Sequence, residues 1–269
     1  MNREQHKKEK AIRKELLRIE KEEGKLAQAA QKIKPAGWKQ ELENRIPEKV
    51  YTGLEAAFAK GFSLVFQQGR GIIEKTYNKS DLEAEYAIRD FAVQRKGGRK
   101  ELRQLQAGAR QGSLRNLAMT TAEGIGLGVL GIGLPDIVLF LGTLLKGVYE
   151  TALAYGFPYD TPQEQMWILK LLSTSLLSGD AWAEGNAQVE EMLTLETVDI
   201  TQEDLNQQIK QTASVFAVDM LLLKFIQGLP VVGILGGAAN PVYYRKVMKY
   251  VQLKYRKRYL LRLLEGGRE

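Results

Sequence analysis

Apolar side chains recur three and four positions apart along most of the chain, and no stretch keeps the strict alternation of a half-buried strand. Trp38, Leu42 and Ile46 stand at successive helical steps. Pro47 suits the first turn of a new helix, and Val50, Leu54, Ala57, Phe58 and Phe62 continue the spacing beyond it. Ser80-Asp-Leu-Glu83 has the form of a capping box and predicts a helix carrying Tyr86, Ile88 and Phe91, broken at Gly97-Gly98. Thr161-Pro-Gln-Glu164 predicts a helix through Ser178. Thr201-Gln-Glu-Asp204 predicts another, with Val215, Val218, Leu222 and Phe225 on one face. Asn240-Pro241 predicts the start of a last helix that runs to about Leu264, ahead of Gly266-Gly267. The fold class that follows is all-α.

Two glycine-rich apolar stretches interrupt this pattern. In the first, glycines stand at 124, 126, 128, 131 and 133, and Pro135 opens a helix with Asp136 in its first turn, where a carboxylate meets the positive end of the helix dipole. Between Glu123 and Lys146 the only charge is Asp136, over a window long enough to span a bilayer. The second, Phe225 to Tyr244, is uncharged. Residues 124–145 and 225–244 are expected to form two apolar helical hairpins, either buried in a soluble core or inserted in lipid. Gly126-Leu-Gly-Val-Leu-Gly131 matches a dinucleotide-binding fingerprint in letters only. A helix-like segment precedes it, the helix start follows it, and no βαβ unit surrounds it, so close helix packing is the better expectation.

Charge divides the 269 residues into three parts. Residues 1–121 carry 26 basic and 16 acidic side chains, a net +10; residues 122–242 carry 4 and 14, a net −10; residues 243–269 carry nine and two, a net +7. Residues 1–34 are expected to form a charged helical extension, largely solvated, with a thin stripe of Ile12, Leu16, Ile19 and Leu26. Residues 35–242 are expected to form an all-α core in the same single helical domain. Residues 243–269 follow as a basic amphipathic helix. Along it Tyr244, Val247, Met248, Val251, Tyr255 and Tyr259 keep helical spacing, with cations crowded between them. Basic residues beside interfacial tyrosines suit an anionic membrane surface, and the candidate contacts are Lys246, Lys249, Lys254, Tyr255, Arg256, Lys257 and Arg258.

Catalytic chemistry is narrowly bounded. There is no cysteine and one histidine, His6, so thiolate metal sites, cysteine nucleophiles and histidine relays have no residues to use. No metal site and no cofactor are expected. Mean hydropathy of −0.27 argues against a polytopic membrane protein, and residues 1–25 contain no apolar leader core. The possible functional acids are Glu123 and Asp136, with Glu150 as a third carboxylate that the fold could bring near them.

Several segments together resemble the EcsC family of bacterial proteins. They are Trp38 with Ile46-Pro47-Glu-Lys-Val50, the run 57–66, Ile73-Glu-Lys-Thr-Tyr77, and Tyr86 with Asp90-Phe91-Ala92. Glu123-Gly124, Gly131-Ile-Gly-Leu-Pro-Asp136, residues 144–157 and the Trp167 segment carry most of the likeness, which spans about 35–260. The resemblance implies a protein encoded beside an ABC transporter, with no assigned activity and no catalytic residues to carry over. The expected function is therefore that of a non-enzymatic protein, cytoplasmic and peripheral at the inner face of the cell membrane. It would bind anionic lipid or assist ABC transporter subunits, with no nucleic acid as partner. The alternatives are a carboxylate-dependent hydrolase or lipid-modifying enzyme, and a soluble helical interaction scaffold.

Overall fold

Ten helices account for nearly all of residues 3–31, 46–66, 70–110, 134–193, 199–226 and 239–266, the residues that the computed structural model describes; no strand occurs among them. They are α1 (Arg3–Gln31), α2 (Glu48–Leu64), α3 (Arg70–Glu74), α4 (Lys79–Lys96), α5 (99–110), α6 (Leu134–Ala154), α7 (Pro162–Leu176), α8 (Gly179–Glu191), α9 (Gln202–Ile226) and α10 (Ala239–Glu265). The all-α, single-domain expectation holds. The glycine-rich segments at 111–133 and 227–238 lie outside the described residues, and with them Glu123 and the Gly126–Gly131 motif.

Local chemistry explains most of the boundaries. Thr161 accepts the Glu164 amide at 3.2 Å with Pro162 in the first turn of α7, and Thr201 and Asp204 bond reciprocally at the start of α9. Gly97 closes α4 in the left-handed conformation, φ 58°, which glycine adopts without a Cβ clash. One cap differs from expectation. The side chain of Asn78, not that of Ser80, accepts the Asp81 amide, and the Ser80 hydroxyl bonds Asn78 instead, so α4 starts one residue before the apparent box. The helix opened by Thr161 ends at Leu176, and the sparse apolar pattern of the separate helix α8 gave no prediction of it.

Helix α6 is the axis of the packing. It touches α2, α3, α4 and α10, and every residue from Leu144 to Tyr155 is buried. Its segment Ile137–Ala154 is the one helix among the described residues long and apolar enough to cross a membrane, and 78% of that window is buried inside the protein. A largely apolar helix covered by its neighbours is the expected centre of a helical core, and its buried Lys146 donates to the Thr76 carbonyl at 3.2 Å. Helix α7 is buried from Met166 to Leu176 except at the partly exposed Lys170, between α8, α9 and α10. Phe216 of α9 joins the layers, its ring centroid 5.6 Å from Phe58, 5.3 Å from Phe62 and 6.4 Å from Phe140. The inner face of α9 is Leu205, Ile209, Ala213, Phe216, Ala217, Met220, Leu221 and Leu222; of the expected face Leu222 is buried, Val215 and Val218 are only partly covered, and the Phe225 side chain lies outside the described residues.

The first and last described helices are docked on the core. Helix α1 packs on α10 and α8 and buries Ile12 and Ile19 completely, with Leu16 and Leu26 at the edge. The stripe in the sequence was thin because α1 is held by charge as well as by apolar area, and the expectation of a largely solvated extension is corrected.

Candidate functional site

The cations of α10 were the leading candidates, and the structure places most of them in the interior. Lys254 is fully buried; its Nζ lies 2.5 Å from Glu23 Oε1, also bonds Glu190, and stands 5.2 Å from the Tyr250 ring centre. Lys257 reaches the same two carboxylates, at 2.9 Å from Glu23 and 2.6 Å from Glu190. Burial pushes the Glu190 carboxyl up, but the two ammonium groups outweigh it and hold it below its usual value. For Lys257 burial works downward, and its bonds to Glu190 and Glu23 prevail and raise it. Between them in sequence, Arg256 approaches Glu15 and Glu22 at 3.5 Å, and the buried Glu15 also takes Arg18 at 2.7 Å and Arg99 at 3.4 Å. Four helices, α1, α5, α8 and α10, meet through these pairs.

On its other side α10 faces a belt of tyrosines. The Tyr255 hydroxyl donates to Glu164 at 2.6 Å, and Arg258 pairs with the same carboxylate at 2.6 Å while stacking on Phe157 and Trp167. Tyr259 donates to Asp90 at 2.6 Å. Arg262 donates to the Tyr86 hydroxyl and to the carbonyls of Tyr155 and Gly156. Farther out, Tyr77 donates to Tyr159, which donates to Glu74 at 2.8 Å, and Tyr149 stacks on Tyr159 at 4.2 Å.

The hydroxyls of this belt keep their protons at neutral pH. Burial pushes every shifted tyrosine hydroxyl upward: Tyr77 to about 12, and Tyr149, Tyr155, Tyr159, Tyr255 and Tyr259 further. A general base works best with a pKa near the operating pH, and these groups move away from it. Among the described residues no group of three or more acidic or histidine side chains converges to hold a metal ion. Asp136 is the third residue of α6, but its side chain, like all of Glu123, lies outside the described residues; Glu150 is buried within α6.

Exposed cations that form no ion pair among the described residues stand on α1, at Lys7, Lys10, Lys14, Lys21 and Lys25, and at the α4–α5 turn. Arg95 and Lys96 end α4, and Lys100 and Arg103 begin α5; all four are exposed, and none forms an ion pair among the described residues. Gly108 of α5 lies against the Arg89 guanidinium of α4, so the two helices fold back on each other about the Gly97 turn.

The EcsC protein family matches residues 10–260 of the chain. The chain belongs to that family. No curated protein and no solved structure matches it. The EcsC match starts within α1, not near residue 35 as the motifs suggested, in agreement with an N-terminal helix docked on the core. Of the seven α10 side chains expected at a membrane, only Lys249 is exposed. Lys246 is half-buried, 3.2 Å from Asp219, while Lys254, Tyr255, Arg256, Lys257 and Arg258 are buried or paired inside the EcsC fold. In this arrangement those five offer no free basic face. The sequence reading missed the cations of the α4–α5 turn as a surface, although Arg95, Lys96, Lys100 and Arg103 beside Gly97-Gly98 were visible in it.

Proposed function

We propose that this EcsC family protein is a non-enzymatic docking protein of an anionic membrane surface, peripheral at the cytoplasmic face, where it binds lipid or assists a membrane-embedded partner such as ABC transporter subunits. The observation that carries the reading is the distribution of unmatched charge. The α10 cations are largely consumed by carboxylates of α1, α7, α8 and α9, whereas Arg95, Lys96, Lys100 and Arg103, on either side of the Gly97 turn, are exposed and form no ion pair among the described residues. Each Lys or Arg near an anionic leaflet contributes about 1 kcal/mol, so four together give appreciable attraction without any catalytic group. No described feature favours a carboxylate-dependent hydrolase.

Co-sedimentation tests the reading. The protein should pellet with vesicles containing phosphatidylglycerol at low salt, release as salt rises, and ignore pure phosphatidylcholine. Equal binding to both lipids, or to neither, would refute it.

A further inference from the structure

The outward face of α4 carries large apolar side chains that the protein does not cover. Ile88 is 71% exposed and Phe91 64%, the two highest values among the large apolar side chains described. Ala84, Ile88, Phe91 and Arg95 follow at steps of four, three and four, so they form a single stripe along the helix. The opposite face fixes the rotation of the helix. Val93 is fully buried, Asp90 accepts from Tyr259, and Tyr86 accepts from Arg262. With that side anchored to α10, the apolar stripe must face away from the core.

A single exposed apolar side chain needs no explanation, but two neighbours on one stripe, next to a cluster of cations that form no ion pair among the described residues, do. Arg95 continues the stripe, Lys96 lies beside it, and Lys100 and Arg103 follow across the Gly97 turn. At its C-terminal end the apolar stripe is edged by lysine and arginine; the acids nearest it are Glu85, which is paired with Arg89, and the half-buried Glu101 in the turn, so that end is complementary to the boundary layer of an anionic bilayer, with acyl carbons below and phosphates at the rim. A nucleic acid backbone would meet the cations but leave the aliphatic Ile88 without a use.

We propose that the α4–α5 hairpin is the element that enters the membrane interface, with Ile88 and Phe91 inserted below the headgroups and Arg95, Lys96, Lys100 and Arg103 on lipid phosphates. This rests on the membrane-surface reading and adds the part of the surface that makes contact.

The absence of cysteine gives a clean test in the full-length protein. Phe91→Cys carries one environment-sensitive fluorophore, and Lys210→Cys on the exposed side of α9 carries the reference. With phosphatidylglycerol-rich vesicles, the label at 91 should shift to the blue and be quenched by lipids brominated on their acyl chains, while the label at 210 should not. In the unlabelled protein, the pair Ile88→Ser and Phe91→Ser should lower the vesicle partition coefficient about tenfold, with the salt dependence retained. If the native protein binds anionic vesicles but the label at 91 stays in water and the serine pair binds equally well, the hairpin assignment fails and the membrane reading stands. If the native protein binds no vesicles, both fail. A blue shift at 91 that grows with protein concentration in the absence of lipid would assign the stripe to a second copy of the chain and overturn the proposal.

Discussion

Lys254 of the last helix holds its Nζ 2.5 Å from Glu23 of the first, across 231 positions of sequence. The ammonium is completely enclosed, and its second partner, Glu190, comes from a third helix. A charge taken out of water in this way is tolerated only while its partners remain, so the contact ties α1 to the body of the protein.

Removing that charge should be expensive. Lys254→Ala leaves Glu23 and Glu190 with Lys257 alone, and the expected loss is about 3–5 kcal/mol in urea unfolding. Glu23→Ala should be coupled to it, with a double-mutant interaction of about 0.5–3 kcal/mol. Additive losses in the two single variants would show that the pair does not act as a unit.

Stability should fall at both ends of the pH scale. Glu190 is held below its ordinary 4.5, so its contribution is complete above 4.5 and is lost as pH drops below that value through the folded one. The tyrosines shift the other way from their ordinary 10. Above pH 10 the unfolded chain gives up protons that the folded chain keeps, so stability declines as pH rises, and Tyr77 ionises in place only near 12. Tyrosinate absorbance should therefore rise together with loss of helical circular dichroism. A smooth titration of all the tyrosines in the folded protein would contradict the burial of Tyr149, Tyr155 and Tyr255.

Two glycines should respond to alanine with opposite signs. Gly156 has φ 71°, where an L side chain is strained, and a Cβ there would run into the Tyr86 ring. Gly156→Ala should cost more than about 1 kcal/mol. Gly53 lies on the exposed side of α2 with open space around its Cα, so Gly53→Ala should gain about 0.5–1 kcal/mol. Melting temperatures that move in the same direction would refute the comparison.

The start of α4 offers a test of local reading. Asn78→Ala should cost about 1 kcal/mol, because that side chain accepts the Asp81 amide, and Ser80→Ala should cost less. The reverse order would restore the capping box that the letters suggest.

What the sequence revealed, and what it concealed, has a physical cause at each place. Thr161, Thr201, Pro162 and Gly97 act on groups within a few residues, so local spacing was enough to place them. Helix α8 was missed because its buried contribution is small, mainly Trp182 and Val189. The cations of α10 misled because periodicity separates apolar from charged positions but cannot tell water or lipid from a carboxylate 231 residues away. Tyr86, Ile88 and Phe91 were grouped on one helix. Helical spacing puts Tyr86 on a different face from Ile88 and Phe91, but only the packing shows which face is inward, with Tyr86 turned toward Arg262 and the other two outward. The segments with the strongest lipid-like composition in the sequence, 124–133 and 227–238, fall outside the described residues.

Charge neutralisation at the α4–α5 turn tests the account most directly. Arg95→Gln, Lys96→Gln, Lys100→Gln and Arg103→Gln combined remove four exposed charges that take part in no ion pair among the described residues, so the melting temperature should stay close to that of the native protein. At about 1 kcal/mol per cation, the partition coefficient onto phosphatidylglycerol-rich vesicles at low salt should fall by about two to three orders of magnitude. A stable, folded quadruple variant that binds those vesicles as the native protein does would contradict the claim that this surface meets the membrane.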